Sequence, residues 1–205
     1  MEKIVHAGFG VLDEVGLDGL TVRAVAARLG VKAPSLYWHV RDKQQLLDEM
    51  ATELWRRLWA EFGALDPDTL VRDGFRIYAH GLRRTMLAHR DGARVFAGTY
   101  LTDAEVLRAQ GAPLASFVER GHDVAAVARA LWLVYCFTVG FCVEEQAVSQ
   151  APDDRYSLRR RDERIGEGAE LSRRAGQEFL GDPDRRFAEI VDALADTARR
   201  MLGGA

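Results

Sequence analysis

One long apolar segment constrains the fold more than any other feature of this sequence. Residues 130–143, ALWLVYCFTVGFCV, carry no charged side chain, and Arg129 and Glu144 bound them. They fall short of the roughly 20 apolar residues that a helix needs to span a bilayer, and a helix this apolar is stable only when other helices cover most of its surface. The first ten residues, MEKIVHAGFG, lack the cationic and apolar regions of a signal peptide. We therefore expect a cytoplasmic helical protein with no membrane partner.

Helical periodicity dominates the rest of the chain, and no convincing run of alternating apolar and polar residues indicates a strand. The first helix should end at Gly16, after an apolar stripe formed by Ile4, Val5, Phe9, Leu12 and Val15. Further helices are expected at residues 43–62, 69–88, 103–120, 123–148 and 183–202. Asp42 and Gln45 have capping-box spacing at the start of the 43–62 helix. Residues 149–176 are highly charged and poor in aromatic side chains, which predicts a mobile loop with one or two helical turns. The predicted fold class is all-α.

A compact unit lies within residues 21–40, TVRAVAARLGVKAPSLYWHV. Thr21 is a suitable N-cap for a helix that Gly30 ends, and Pro34 suits the first turn of a second, short helix. Ala26 is small enough to let the two helices cross closely. The pattern predicts a helix, a sharp turn and a short second helix.

The charge of this unit differs from that of the whole chain. Over the full length, 28 Lys and Arg residues face 31 Asp and Glu residues, for a net charge of −3 that gives no sign of nucleic acid. Residues 21–43, in contrast, contain one acidic residue, Asp42, and five basic ones: Arg23, Arg28, Lys32, Arg41 and Lys43. A local cationic surplus on a helix-turn-helix pattern is typical of a domain that binds DNA.

The second helix of such a motif enters the major groove with its first residues near the base edges. We expect Arg23 to reach a guanine edge and Lys43 to pair with a phosphate. The candidate DNA-binding residues are Thr21, Arg23, Lys32, Ala33, Pro34, Ser35, Tyr37, Trp38, His39 and Lys43. For Tyr37 and Trp38 the alternative is that they only wedge the small helical bundle together.

The segment GLDGLTVRAVAARLGVKAPSLYWHVRDKQQLLDEMA resembles the DNA-binding domain of the TetR family, and LYWHV with the following K..LLD is especially similar to the tetracycline repressors. HRDGARVFAGT (89–99) and FTVGFCVEEQ (137–146) resemble two segments of the ligand-binding body of those repressors. The resemblance implies an all-helical homodimer that binds a palindromic DNA operator and responds to a small-molecule effector, more often as a repressor than as an activator. We expect a helix-turn-helix domain at residues 1–45 and a ligand-binding and dimerisation domain at residues 46–205.

In this family the body dimerises through a four-helix bundle. Residues 123–148 suit that role because they are too apolar to face water. Residues 183–202 suit it through a stripe of Phe187, Ile190, Val191, Leu194, Ala198 and Met201. The alternative is that both helices serve only the core of their own subunit.

One departure from the family concerns the ligand. The tetracycline repressors hold their drug as a magnesium chelate, with a histidine at the position of Phe96 and a glutamate at the position of Glu144. Phenylalanine cannot coordinate a hard cation, so we expect no metal, no cofactor and a largely apolar effector. The candidate ligand-binding residues are Trp55, Trp59, Phe62, Tyr78, Leu82, Phe96, Thr99, Pro113, Trp132, Tyr135, Phe141 and Glu144, and plain core is the alternative for several of them.

Two other classes of protein are alternatives to a ligand-responsive regulator: an enzyme and a regulator without a small-molecule effector. The HRD at residues 89–91 is found in kinase catalytic loops, but those loops also need an asparagine and this chain contains none. A phosphate-binding P-loop, a G-x-S-x-G elbow and an H-E-x-x-H motif are also missing, so an enzyme is not expected. The remaining alternative is a DNA-binding regulator without a small-molecule effector, controlled by a protein partner.

Overall fold

The computed structural model describes residues 1–152 and 154–203, and within these residues the chain is all-α, as its periodicity predicts. A head of three helices is followed by a larger helical body. The helices are α1 (Glu2–Gly19), α2 (Val22–Arg28), α3 (Ala33–Tyr37), α4 (Lys43–Gly63), α5 (Pro67–Leu87), α6 (Gly92–Phe96), α7 (Ala104–Ala109), α8 (Gly111–Val118), α9 (Val124–Ser149), α10 (Leu158–Ile165), α11 (Glu170–Leu180) and α12 (Pro183–Met201).

The head forms as its local signals predict. The Thr21 hydroxyl accepts a hydrogen bond from the Ala24 N–H at 3.0 Å and so caps α2. Gly30 follows α2 with a φ of 69°, in the left-handed region that favours glycine. Ala26 is 1% exposed, which fits its predicted place at a helix crossing. Leu36 is the buried residue of α3.

The end of α1 differs from the prediction. Gly16 has a φ of 72°, and helical residues continue beyond this bend to Gly19. Val15, expected in the apolar stripe, is 50% exposed, so that assignment is wrong. The apolar stripe of α1 does not include Val15, because the chain changes direction at the next residue, Gly16.

The long helix α4 connects the head to the body without a break. The Asp42 carboxylate accepts a hydrogen bond from the Gln45 N–H at 2.8 Å, as the capping-box spacing predicts. The Gln45 side chain reaches one residue further back than in a capping box and accepts from the Arg41 N–H at 2.9 Å. Along α4, Met50 is buried beside α1 and Phe62 is buried in the body. One rigid element therefore contacts both parts of the molecule.

The body is organised around α5, α9 and α12. Arg83 of α5 makes a bidentate ion pair with Glu145 of α9, with Nε–Oε2 at 2.8 Å and Nη2–Oε1 at 2.5 Å. The same guanidinium binds Asp184 of α12 at 2.6 Å and lies over the ring of Phe187, 4.9 Å from its centroid. One arginine thus joins the three central helices.

Two predictions about the body were wrong. Residues 103–120 form two short helices, α7 and α8, that meet at Gln110. Residues 149–176 were expected to form a mobile loop with one or two helical turns, but α10 and the start of α11 make the segment more helical than that; residue 153 is outside the described residues. Their high charge supports helix, because Arg159 pairs with Glu163 one turn later at 2.7 Å.

The apolar helix α9 covers Val124–Ser149 and is long and apolar enough, by length and composition, to cross a membrane. About a third of its most apolar stretch is buried inside the subunit. One side stays uncovered, with Trp132 65% exposed and Val124 52% exposed. On α12, Ile190 and Met201 are 39% and 38% exposed. The uncovered side is too apolar to be an ordinary solvated face.

Candidate nucleic-acid interface and ligand-binding core

The α2–α3 surface is one-sided. Leu36 and Val40 point into the head, whereas Trp38 is 89% exposed and Tyr37 is 43% exposed. Trp38 therefore does not wedge the bundle. The predicted DNA-binding residues Thr21, Arg23, Lys32, Pro34, Ser35, Tyr37, Trp38 and His39 are all exposed, and Ala33 and Lys43 are partly exposed.

A depression of about 410 Å³ lies where the start of α2 meets the end of α3. It is lined by Thr21, Val22, Arg23, Tyr37, Arg41, Asp42 and Lys43. Three cations, Arg23, Arg41 and Lys43, thus line one concave surface with the Tyr37 phenol and a single carboxylate, Asp42. This arrangement suits an anionic group such as a phosphate.

The sequence overstated the positive charge of this surface. Arg28 forms an ion pair with Glu14 of α1, which neutralises it. The Lys43 ammonium donates a hydrogen bond to the Leu17 carbonyl at 2.6 Å, so one of its three donors is already used. Pairing across helices is a tertiary property, and counting charges along residues 21–43 did not include it.

A second set of contacts, which sequence reasoning missed, joins the head to the body. The Asp13 carboxylate lies 3.0 Å from His89 Nδ1 and accepts a hydrogen bond from the Arg90 N–H at 3.0 Å. Asp91 accepts from the Leu17 N–H at 2.8 Å. We call these contacts between α1 and residues 89–91 the head–body latch.

The latch is fixed to α9 through one buried amide. Gln146 accepts a hydrogen bond from the Ala93 N–H at 3.0 Å and donates one to the His89 carbonyl at 2.8 Å. The Phe9 ring of α1 stacks on the His89 ring, with 4.1 Å between the ring centroids. The HRD of residues 89–91 therefore makes structural contacts between α1, the α5–α6 turn and α9.

A cleft of about 1150 Å³ separates parts of the head from the body. Its lining comes from α1, the end of α2, α4 and residues 102–104. Charged groups in the cleft pair with one another, as Arg56 does with Asp103 at 2.8 Å and Arg57 with Glu53 at 2.9 Å. The head thus contacts the body mainly through α4 and the latch, and the cleft lies between these two regions of contact.

The predicted ligand-binding aromatic residues come together, but they pack on one another. Four successive ring pairs are stacked: Trp132–Tyr135 at 5.0 Å, Tyr135–Trp55 at 5.9 Å, Trp55–Trp59 at 5.4 Å and Trp59–Tyr78 at 5.8 Å. We call these five rings the aromatic column. It runs from the exposed Trp132 on α9 to the buried Tyr78 on α5.

Some of the other predicted ligand residues pack around this column, and others lie away from it. The ring of Phe96 stacks on Trp55 at 4.5 Å, and Phe62 contacts both Trp59 and Tyr78 edge-on. Leu82 and Pro113 are buried on α5 and α8. Phe141 does not belong to the column, because it packs on Phe187.

The two proposed polar anchors lie in different surroundings. The Thr99 hydroxyl donates to the carbonyls of Val95 and Phe96 at 3.0 and 2.8 Å, which satisfies the end of α6. Glu144 is exposed on α9. The periodicity of α9 identified an apolar helix but did not show which face lies inward.

The position of Phe96 does not fit a magnesium chelate. The Phe96 ring is fully buried against Trp55 and offers no oxygen or nitrogen. Hard cations require oxygen ligands, which this side chain cannot supply. Throughout residues 1–152 and 154–203, no three His, Cys, Asp or Glu side chains group closely enough to hold a metal ion.

Comparisons with known proteins agree with this arrangement. Residues 4–50 match the family described as bacterial regulatory proteins, tetR family, and residues 64–195 match the tetracyclin repressor-like C-terminal domain. The tetracycline repressor protein class A from transposon 1721 of Escherichia coli is 38% identical over 150 residues, which span 70% of this chain and 66% of that repressor.

Two solved structures extend the likeness to nearly the whole chain. A possible TetR family transcriptional regulator from Streptomyces coelicolor A3(2) is 33% identical, with a TM-score of 0.81 over 97% of this chain and 98% of its own. TetR(class A) in complex with 5a,6-anhydrotetracycline and magnesium is 30% identical, with a TM-score of 0.70 over 98% of each chain.

The two family matches cover both parts of the molecule, and the related proteins are transcriptional regulators rather than enzymes. The exposed α2–α3 surface corresponds to the family's DNA-binding helix-turn-helix, and the body to its ligand-binding part. The chain belongs to the TetR family of DNA-binding transcriptional regulators and is of the tetracycline-repressor-like kind.

Proposed function

We propose that this protein is a cytoplasmic repressor that binds a palindromic operator as a homodimer and leaves it when a largely apolar small molecule binds in the body. Residues 1–45 form the DNA-binding domain in this proposal, and residues 46–205 form the ligand-binding and dimerisation domain. The observation that carries it is the one-sided α2–α3 surface, which exposes Tyr37 and Trp38 while Leu36 is buried beneath them.

Each part of that surface has a role in the proposed complex. Ala33 and Pro34 would meet thymine methyl groups in the major groove, and Ser35, Tyr37 and His39 would hydrogen-bond to bases or phosphates. Thr21, Lys32, Trp38 and Lys43 would hold the backbone on either side. Arg23, at the start of α2, would reach a guanine edge.

The uncovered sides of α9 and α12 support a homodimer. Trp132 and Val124 on α9, with Ile190 and Met201 on α12, give two adjacent helices an exposed apolar surface. Two copies of a helix pair form a four-helix bundle about a two-fold axis. Such a dimer carries two heads, which suits a palindrome whose half-sites lie roughly 34 Å apart.

Helix α4 and the head–body latch support a route from ligand to DNA. Trp55 and Trp59 place the aromatic column on α4, and Lys43 at the other end of this helix contacts Leu17 of the head. A ligand that binds better to a different arrangement of α4 would change the separation of the two heads. It can lower DNA affinity only by its differential affinity for the two arrangements.

The metal chemistry of the tetracycline repressors is not part of this proposal. TetR(class A) is known in complex with 5a,6-anhydrotetracycline and magnesium, whereas this chain has Phe96 and an exposed Glu144 in the corresponding segments. We expect no magnesium requirement for effector binding. Release of the operator in EDTA by an apolar effector would check this.

Replacing Arg23 by alanine should relax the preference of the head at one base pair and cost about 1–3 kcal/mol of binding free energy at that position. A gel-shift series with the palindromic DNA beside the gene, and with variants of each base pair, measures this. The control is Arg28→Ala, since Arg28 is paired with Glu14 and faces α1; its operator affinity should stay close to that of the parent. If Arg23→Ala discriminates the operator variants as the parent does, the base-reading role is wrong.

Control by a protein partner is the alternative to a small-molecule effector. A purified protein–operator complex that small aromatic molecules dissociate would support the proposal. A complex that only a second protein dissociates would support the alternative.

A further inference from the structure

Arg41 lies between α3 and α4, outside the set of candidate DNA-binding residues. It lines the depression of about 410 Å³ together with Arg23 and Tyr37, and all three side chains are exposed. The depression suits an anionic group, and most contacts between proteins and DNA go to the phosphates. The position of Arg41 therefore places one more cation where the DNA backbone would lie.

The side chain of Gln45, in the first turn of α4, holds Arg41 in place. Gln45 Oε1 accepts two hydrogen bonds from this one residue, from the Arg41 backbone N–H at 2.9 Å and from the guanidinium Nε at 3.2 Å. The two bonds orient the backbone of Arg41 and the near end of its guanidinium together. Ordering a long side chain on a ligand costs conformational entropy, and this tether lowers that cost.

The tether uses only one edge of the guanidinium. In the part of the chain that the structure describes, the Arg41 side chain makes its hydrogen bond through Nε, and Nη1 and Nη2 are left for another partner. These nitrogens present donors in a planar fork that matches two oxygens of a phosphate. Asp42, the carboxylate of the same depression, is used by α4, since it accepts from the Gln45 N–H at 2.8 Å.

Two other cations of the head are held in a different way. Arg28 is paired with the carboxylate of Glu14, which neutralises its charge. Lys43 already donates one hydrogen bond to the Leu17 carbonyl at 2.6 Å. Arg41 is oriented by a neutral amide and keeps its full charge for an anion.

From these contacts we infer that Arg41 binds a phosphate of the operator backbone through Nη1 and Nη2, and that Gln45 is the residue that positions it. This inference rests on the proposed function, because it assumes that the head binds operator DNA. It adds a phosphate-binding residue to the candidate set and a positioning residue that does not itself touch DNA.

Replacing Arg41 by alanine should make operator binding both weaker and less dependent on salt. Each phosphate contact contributes about 0.9 to the slope of log affinity against log salt concentration, so a dimer that loses two contacts should have a slope less steep by about two. Fluorescence anisotropy with the palindromic DNA beside the gene, between about 50 and about 200 mM salt, measures this slope.

Replacing Gln45 by alanine should weaken binding about tenfold, because each of two heads must then order an arginine at a cost of about two- to tenfold. The salt slope should stay that of the parent, since the charge remains. Arg41→Lys, which keeps the charge and lacks Nε, should behave in the same way.

A double variant separates positioning from a plain structural role. Gln45 also caps the backbone N–H of Arg41, and this bond is still possible in Arg41→Ala. If Gln45 acts through the guanidinium, Gln45→Ala should cause no further loss of affinity in the Arg41→Ala protein. The matched control is Gln44→Ala, because Gln44 lies in the same turn and donates to Asp48 at 3.0 Å; it should bind as the parent does.

A parent slope in Arg41→Ala, parent affinity in Gln45→Ala, or an equal loss from Gln45→Ala with and without Arg41 would each overturn the inference. The repressor proposal would stand in all three cases, because the parent still binds its operator. A parent that does not bind the palindrome would instead contradict the proposed function.

Discussion

Replacing Gly140 by glutamate is expected to give a folded monomer that binds the operator about 100-fold more weakly than the parent. Gly140 lies on the uncovered side of α9, and a Cβ added there would meet no atom of its own subunit within 4 Å apart from its chain neighbours and the backbone of its own helix. The subunit therefore has room for the new side chain. In the proposed four-helix bundle the same position faces the second copy, where a carboxylate would be desolvated without a partner.

The loss of DNA affinity follows from the loss of pairing. Two linked heads bind a palindrome with an avidity that exceeds a single head by about 10²–10⁴-fold, and a monomer keeps only one head. Sedimentation velocity gives the oligomeric state, and a gel shift on the operator gives the affinity.

The matched control is Gly63→Glu at the end of α4, where an added Cβ also has no atom within 4 Å. This variant should remain dimeric and bind DNA as the parent does. A Gly140→Glu protein that stays dimeric would show that α9 does not form the subunit interface. The bundle proposal would then fall, although the family assignment would not.

Replacing Gly92 by alanine is expected to lower the free energy of unfolding by about 3 kcal/mol. An alanine Cβ at this position would lie 2.1 Å from the Met86 carbonyl oxygen, and that oxygen belongs to the last turn of α5 rather than to a flexible side chain. Relief of the clash requires α5 and α6 to separate, and overpacking of this kind typically costs about 1–3 kcal/mol. The α5–α6 turn also carries the latch residues His89 and Asp91, so the head should loosen as well.

Gly74→Ala provides the comparison. Gly74 is also a buried glycine of the body, but its added Cβ would make an ordinary contact of 3.7 Å with Phe117. Inside α5 it should raise stability by about 0.5–1 kcal/mol, because alanine favours the helix. Urea unfolding at one fixed protein concentration separates the two effects. Equal midpoints for both variants would show that the α5–α6 approach is not as close as described.

The sequence predicted the parts of the fold that depend on local chemistry. Thr21, Gly30 and Asp42 act where expected because a cap or a left-handed glycine needs only its own helix end. The helices α4, α5, α9 and α12 were expected within a few residues of their observed bounds, since long apolar stripes are the strongest periodic signal.

Predictions that depend on tertiary pairing were weaker. The charged residues 149–176 were expected to form a mobile loop with one or two helical turns, yet the segment is more helical, and ion pairs such as Arg159–Glu163 accompany helix there. Arg28 was counted in the local positive charge of residues 21–43 and instead pairs with Glu14. The sequence pattern did not show that either pair of side chains would meet.

For the candidate ligand site, the residue types were easier to predict than the geometry. Trp55, Trp59 and Tyr135 do meet, because aromatic residues on inward faces of neighbouring helices converge. Phe141 packs on Phe187, and Glu144 is exposed on the subunit on the same side of α9 as Gly140 one turn earlier. The sequence of a helix that is apolar on most sides does not show which side faces the core.

The most direct test of the account is native mass spectrometry of the protein mixed with a duplex that contains one palindrome from the DNA beside the gene. The account predicts one complex with two chains per duplex, and its loss when the palindrome is scrambled. A complex with a single chain per duplex, or equal binding to the scrambled sequence, would contradict the central claim that two copies of the α2–α3 surface grip one operator.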